Sequence, residues 1–232
     1  MRNCLVISLL LVAAMCVGCR TQTWNDTQFE PGSGRNADMP WQVHSGLVEM
    51  RLAYQASSGG VNNETSEEWG GYTLDIDQMN AGISFFAGYM INDYWELGGF
   101  VEYAKEVWAT DVRRSPGTDP DMFGDWDVHG VTFGPRLIYN FSQTGTDVVP
   151  YIAASAGFGG LTIEPDESDD SLDATRMYGQ IGLGLRFFVC DGWALSLEGF
   201  YRNTSTSVDG EIEDVTTHSD EGGLLFGCSF FF

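Results

Sequence analysis

The sequence predicts an all-β protein, an eight-stranded antiparallel up-and-down transmembrane β-barrel. Three observations carry that expectation. A nine-residue strand phrase occurs twice, no long apolar helix remains after the N-terminal segment, and short and long connections alternate strictly between eight strand-like stretches.

The repeated phrase is Trp95-Glu-Leu-Gly-Gly-Phe-Val-Glu-Tyr103 and Trp193-Ala-Leu-Ser-Leu-Glu-Gly-Phe-Tyr201. Side chains alternate across a strand, so Trp95, Leu97, Gly99, Val101 and Tyr103 share one face. Glu96, Gly98, Phe100 and Glu102 share the other, and the second copy divides in the same way. Each copy thus has an apolar face with an aromatic at either end, opposite a face of small and charged residues. Eight steps of ~3.3 Å tilted by ~40° cover roughly 20 Å, close to the apolar band of a membrane barrel.

The N-terminus reads as an export signal over residues 1–18: Arg2, an apolar run from Leu5 to Val17, and a small-residue exit. Val17-Gly18-Cys19 is similar to a bacterial lipoprotein box, although Cys16 stands where that box has Leu. Lipidation at Cys19 and simple cleavage nearby both stay open. Residues 19–43 have no periodicity and read as a flexible tether, with the barrel spanning 44–232. The net charge is −22, with 33 acidic against 11 basic residues, which excludes nucleic acid as a partner. It suits cations or basic partners. No Cys/His spacing points to zinc, and no cofactor is expected.

In order, strand one is expected at 46–55, strand two at 79–90, and strand three is the first phrase. Strand four is expected at 130–141, where Pro135 removes a ladder donor and predicts a bulge or weak pairing. Strand five, 149–160, has ambiguous facing. Strand six falls at 177–188, the second phrase is strand seven, and 222–232 is strand eight. Long loops are expected at 56–77, 105–127, 164–173 and 203–221. Closure follows because an open edge in lipid would leave backbone groups unpaired. The even strand count places both strand ends at a periplasmic rim of short turns, with long acidic loops extracellular.

From about residue 44 onward the chain resembles the small eight-stranded outer-membrane barrels of the OmpA and OmpX type. The resemblance rests on the hairpin Gly88-Tyr89 to Asp93-Tyr94-Trp95-Glu96-Leu97, on Pro150-Tyr151-Ile152-Ala153 and Gly157, and on the ending Gly227 to Phe232. It implies residence in the outer membrane of a Gram-negative-type bacterium. It also implies that Phe226, Phe230 and Phe232 form the signal read by the barrel-assembly machinery, although Cys228 departs from that pattern.

Four groups of residues are candidates for function. Glu49, Arg51, Glu96, Glu102, Arg136, Arg186, Glu198 and Arg202 fall on the inward parity. They form either a packed polar plug or a narrow pore gated by switching ion pairs. Asp119, Asp121, Asp125, Asp127, Asp166, Asp169 and Asp170 are dense in oxygen ligands and are weak candidates for divalent cations. None has the spacing of a calcium loop, so a solvated, self-repelling loop is the plainer reading. Tyr54, Tyr103 and Tyr201 are expected in an outer aromatic girdle against lipid, and Tyr89, Trp95, Tyr139, Trp193 and Phe230 in a periplasmic one. His129 and His218 could meet at the outer rim as bases of a barrel hydrolase, with His44 elsewhere, but no hydrolase spacing accompanies them. The expected function is therefore non-enzymatic: a structural or surface-interaction protein whose acidic loops bind cations or basic partners. A narrow pore and a soluble lipocalin-like lipid binder are the alternatives.

Overall fold

The computed structural model describes residues 43, 45–64, 73–113, 126–141, 148–165, 171–190, 192–208 and 215–232. The residues read as an export signal, and Cys19, lie outside the described residues. So do His44 and the loop acids Asp119, Asp121, Asp125, Asp166, Asp169 and Asp170.

Eight strands run in order: β1 (Val48–Glu64), β2 (Thr73–Met90), β3 (Trp95–Arg113), β4 (Trp126–Asn140), β5 (Val148–Pro165), β6 (Leu172–Cys190), β7 (Trp193–Val208) and β8 (Val215–Phe231). Each pairs antiparallel with its neighbours in sequence, and β8 closes on β1. Following ladder partners from Glu49 through Gly88, Gly98, Arg136, Ser155, Gln180, Arg202 and Glu221 returns to β1 at Gly59, ten residues along. Eight strands with that stagger tilt by about 40° and enclose a ring of roughly 8 Å radius. Side chains can fill such a ring.

The inward and outward faces follow the predicted parity. Leu52, Tyr54, Ile83, Phe85, Leu97, Val101, Phe133, Ile181, Leu183, Leu197, Leu224 and Phe226 are exposed on the outside, while Glu49, Arg51, Glu96 and Glu102 are buried within. A lipocalin has the reverse arrangement, so the soluble reading fails. The facing of β5 is also settled: Tyr151, Ala153, Leu161 and Ile163 point inward, and Ile152 and Phe158 outward.

The strands are longer than the sequence suggested. Roughly 10 tilted residues cross a ~25 Å apolar band, but these strands have 15 to 19. They overshoot by roughly 10–20 Å at the rim away from the short turns. Residues 56–64, 105–113, 203–208 and 215–221, expected as loop, continue the ladders. Asp127 likewise sits in β4, opposite Glu164 of β5, rather than in a loop. Outside the apolar band the outward face meets water, so its side chains turn polar and the apolar–polar contrast that marks a strand disappears. The backbone ladder does not need that contrast.

Local chemistry fixes the turns. The Asn92 carboxamide oxygen accepts the backbone N–H groups of Tyr94 and Trp95, each at 2.9 Å, which aims the chain into β3. Gly192 has φ +76°, and a Cβ there would lie 2.8 Å from the Phe231 carbonyl, so glycine is required between β6 and β7. An irregularity in register falls between Phe188 and Cys190, just before this turn. At Pro135 the β4–β5 ladder breaks without shifting register: Phe133 pairs with Phe158, and pairing resumes at Arg136 with Ser155.

Candidate functional site

The chemistry of the described residues is concentrated inside the barrel, where it is arranged in levels. At the short-turn end Val43, Leu47, Met90, Val149, Phe188, Ala194 and Phe231 form an apolar layer. Val43 comes from ahead of β1, so the chain entering the barrel helps seal its mouth. At the other end Val128, Leu161, Ile163 and Ala174 cluster, with Trp126 and Val208 against them.

The first ionic level rests on the lower seal. Arg186 donates to Glu49 at 2.5 Å, to Glu96 at 2.7 Å and to the Asn140 side-chain oxygen at 2.5 Å. Arg51 forks onto Glu49 at 2.8 and 3.2 Å, and Ser229 donates to the same carboxylate at 2.5 Å. Arg136 pairs with Glu198, which also accepts the Tyr151 hydroxyl at 2.9 Å. The Arg186 guanidinium lies 4.9 Å from the Tyr151 ring centroid, and Arg51 lies 5.5 Å from it. Low-dielectric surroundings strengthen these pairs and make every unmatched charge costly.

The second level centres on Glu102. Arg202 grips it bidentately at 3.0 and 2.9 Å, Gln55 donates at 2.6 Å and Tyr178 at 3.0 Å. Arg202 also gives its Nε to Gln180 at 3.0 Å and lies 4.1 Å from the Tyr178 ring centroid. A cavity of about 20 Å³, room for roughly one water, separates the two levels among Arg51, Gln55, Glu102, Arg136 and Tyr178.

The third level stands in the projecting wall. Arg176 forks onto Glu106, with one contact at 2.7 Å, and Asn80 donates to Glu106 at 3.1 Å. Glu221 accepts the hydroxyls of Ser57 at 2.9 Å and Thr204 at 3.2 Å.

Glycines admit the rings on which the guanidinium groups stack. A Cβ at Gly184 would lie 2.3 Å from Tyr151, at Gly157 2.4 Å from Tyr178, and at Gly223 2.5 Å from Phe200. Each ring covers a bare stretch of neighbouring strand, and an arginine covers the ring.

All eight charges selected from the sequence are buried inside; ion pairs link Glu49, Arg51, Glu96, Arg136, Arg186 and Glu198 into one network and Glu102 with Arg202 into a separate pair. Sequence reasoning missed Glu106, Arg176 and Glu221, because strands three, six and eight were drawn too short. Their parity was the available signal, since Glu106 continues the series of Glu96 and Glu102. The girdle candidates Tyr54, Tyr89, Trp95, Tyr103, Tyr201 and Phe230 are exposed outside, whereas Tyr139 and Trp193 are half-buried. Tyr139 packs edge-on against Trp95 at 4.8 Å, and Trp193 against Phe230 at 5.1 Å. Phe226, Phe230 and Phe232 all face outward.

Asp127 is bound at 2.7 Å by Lys105 on the outer surface. Among the described residues no three His, Cys, Asp or Glu side chains come together as a metal centre. His129 and His218, which the hydrolase alternative would bring together, do not meet. They lie on β4 and β8, at opposite sides of a ring of eight strands, and both take the outward parity.

No curated protein matches the chain. Among solved structures, the barrel is similar to neisserial surface protein A, with 22% identity over 80% of this chain and 97% of that one and a TM-score of 0.47. It is similar to the outer membrane protein OprG from Pseudomonas aeruginosa, with 18% identity over 82% and 98% and a TM-score of 0.48. The outer membrane enzyme PagL matches with 15% identity over 75% and 97% and a TM-score of 0.37. The family model of the outer membrane protein beta-barrel domain matches residues 48–226, nearly the whole closed barrel. The chain belongs to that family and is a β-barrel protein of the outer membrane.

Proposed function

We propose that this barrel is a non-enzymatic structural and surface-interaction protein: a rigid stake in the outer membrane that carries acidic loops beyond the cell surface. The observation that supports this reading is the filling of the interior. Three ionic levels, joined by arginine–glutamate pairs and side-chain hydrogen bonds, lie between an apolar layer at the short-turn end and an apolar cluster on β4 to β7 at the other, and the described cavity is the size of about one water. A filled ring of this kind supplies stiffness rather than transport. The loops would present carboxylates to divalent cations or to a basic surface ligand, and the outward aromatics would hold the barrel at the depth of the lipid interfaces. Outer-membrane lipid and the barrel-assembly machinery are the partners this life history requires.

Single-channel recording across planar bilayers tests the reading. The full chain is expected to show negligible conductance, and Arg136→Ala is expected to leave it negligible. Steady conductance of the parent barrel that changes on this substitution would replace the stake with a gated pore.

A further inference from the structure

Six glutamates and five arginines are buried among the described residues. Five of the six acids, Glu49, Glu96, Glu102, Glu106 and Glu198, pair with arginine. Glu221 does not: among the described residues no cationic nitrogen lies within salt-bridge distance, and its partners are two neutral hydroxyls. Its neighbour across the β7–β8 ladder is Arg202, but that guanidinium is taken up by Glu102, Gln180 and Gln55. Arg176 is likewise held by Glu106.

A second observation points to the same place. Asn80 is only 5% exposed, and among the described residues its side-chain oxygen has no hydrogen-bond partner. The orientation of the amide is set by chemistry: its Nδ2 faces the Glu106 carboxylate, and the opposite assignment would set oxygen against oxygen. Nδ2 turns toward β3, so the carbonyl turns away from it. The neighbour of Asn80 on the other side is Ser57 of β1, whose hydroxyl binds Glu221.

We propose that the outward-projecting mouth of the barrel binds one monovalent metal cation of the sodium class, held by the Glu221 carboxylate, the Asn80 carbonyl and the hydroxyl oxygens of Ser57 and Thr204. A hydroxyl that donates its proton to Glu221 keeps lone pairs for a cation. All four donors are hard oxygens, and their summed charge is that of one carboxylate. Calcium-type sites gather more carboxylate ligands, and zinc sites use nitrogen and sulfur. Glu221 pairs with Gly59, five residues beyond Tyr54 on β1, and with Arg202, one residue beyond Tyr201 on β7, so the site stands at the outer edge of the aromatic level.

The test is urea unfolding of the full chain reconstituted in phosphatidylcholine vesicles. Choline chloride is exchanged for sodium chloride at fixed ionic strength, so that general screening stays constant. The unfolding equilibrium constant is expected to fall about tenfold once sodium reaches roughly ten times its dissociation constant. Glu221→Gln is expected to abolish that dependence and Asn80→Ala to weaken it. Should Glu221→Gln fail to assemble, Asn80→Ala and Ser57→Ala carry the same comparison. Three results would overturn the proposal: no sodium dependence in the parent, an unchanged dependence in the variants, or a protonated-carboxyl infrared band that Glu221→Gln removes.

Discussion

Arg186 and Lys105 each hold a carboxylate oxygen at 2.7 Å, Glu96 in one case and Asp127 in the other, yet they occupy opposite sides of the barrel wall. The side chains of the inner pair are fully buried, whereas those of the outer pair are 56% and 40% exposed. The same contact distance therefore corresponds to very different dependences. In water the Lys105 ammonium and the Asp127 carboxylate lose little on parting, because solvent takes the place of each partner. Inside, nothing replaces Arg186: Glu49, Glu96 and the Asn140 amide would all face one another without it. Distance describes the contact, while burial decides how much its loss costs.

Arg186→Ala should therefore show the largest effect. Removing one partner from a buried charge network costs about 3–5 kcal/mol, readable as a fall in the urea midpoint of the lipid-reconstituted barrel. A loss under ~1 kcal/mol would mean that the two glutamates find relief elsewhere and would erase the contrast between the sides. Next comes Gly184→Ala, which adds a single methyl but places it against the Tyr151 ring. Overpacking of this kind costs about 1–3 kcal/mol, and it should also loosen Glu198, which the Tyr151 hydroxyl binds. Combining Gly184→Ala with Tyr151→Phe in a double-mutant cycle separates lost space from the lost hydrogen bond. The smallest effect belongs to Lys105→Ala, within about 1 kcal/mol and shrinking as salt is raised. A larger effect that ignores salt would show the outer pair to be shielded in the membrane-bound protein.

The same contrast between sides explains which parts of this molecule could be read from its sequence. Within the apolar band the outside is greasy and the inside polar, so parity alone assigns Glu49, Arg51, Glu96, Glu102, Arg136, Arg186, Glu198 and Arg202 to the inner face, where their side chains are buried. β5 resisted because both of its faces carry small and apolar residues, Tyr151, Ala153 and Gly157 against Ile152, Ala154 and Ala156. Only its pairing with β4 and β6 decides the facing. Beyond the band, water wets the outside, both faces become polar, and the strands were cut short. That is why Glu106, Arg176 and Glu221 were missed although each keeps the inward parity. The ion pairs themselves could not be read either, since Arg202 reaches Glu102 and Arg176 reaches Glu106 across the lumen between strands far apart in sequence.

The projecting wall has a consequence for how this protein can vary. Its inner side is bound by charge and close packing, so a change at Glu106 or Arg176 disturbs partners on other strands. Its outer side, with Asn203, Ser205 and Ser207 on β7 and Thr216 and His218 on β8, needs only to stay wettable and to keep its backbone ladder. Substitutions there would alter what the surroundings of the cell encounter at little cost to the barrel's cohesion, since the side-chain hydrogen bonds of Asn203 and of Ser207 with Thr216 are exposed to water. A lineage could therefore change its outward face quickly over a framework that changes slowly.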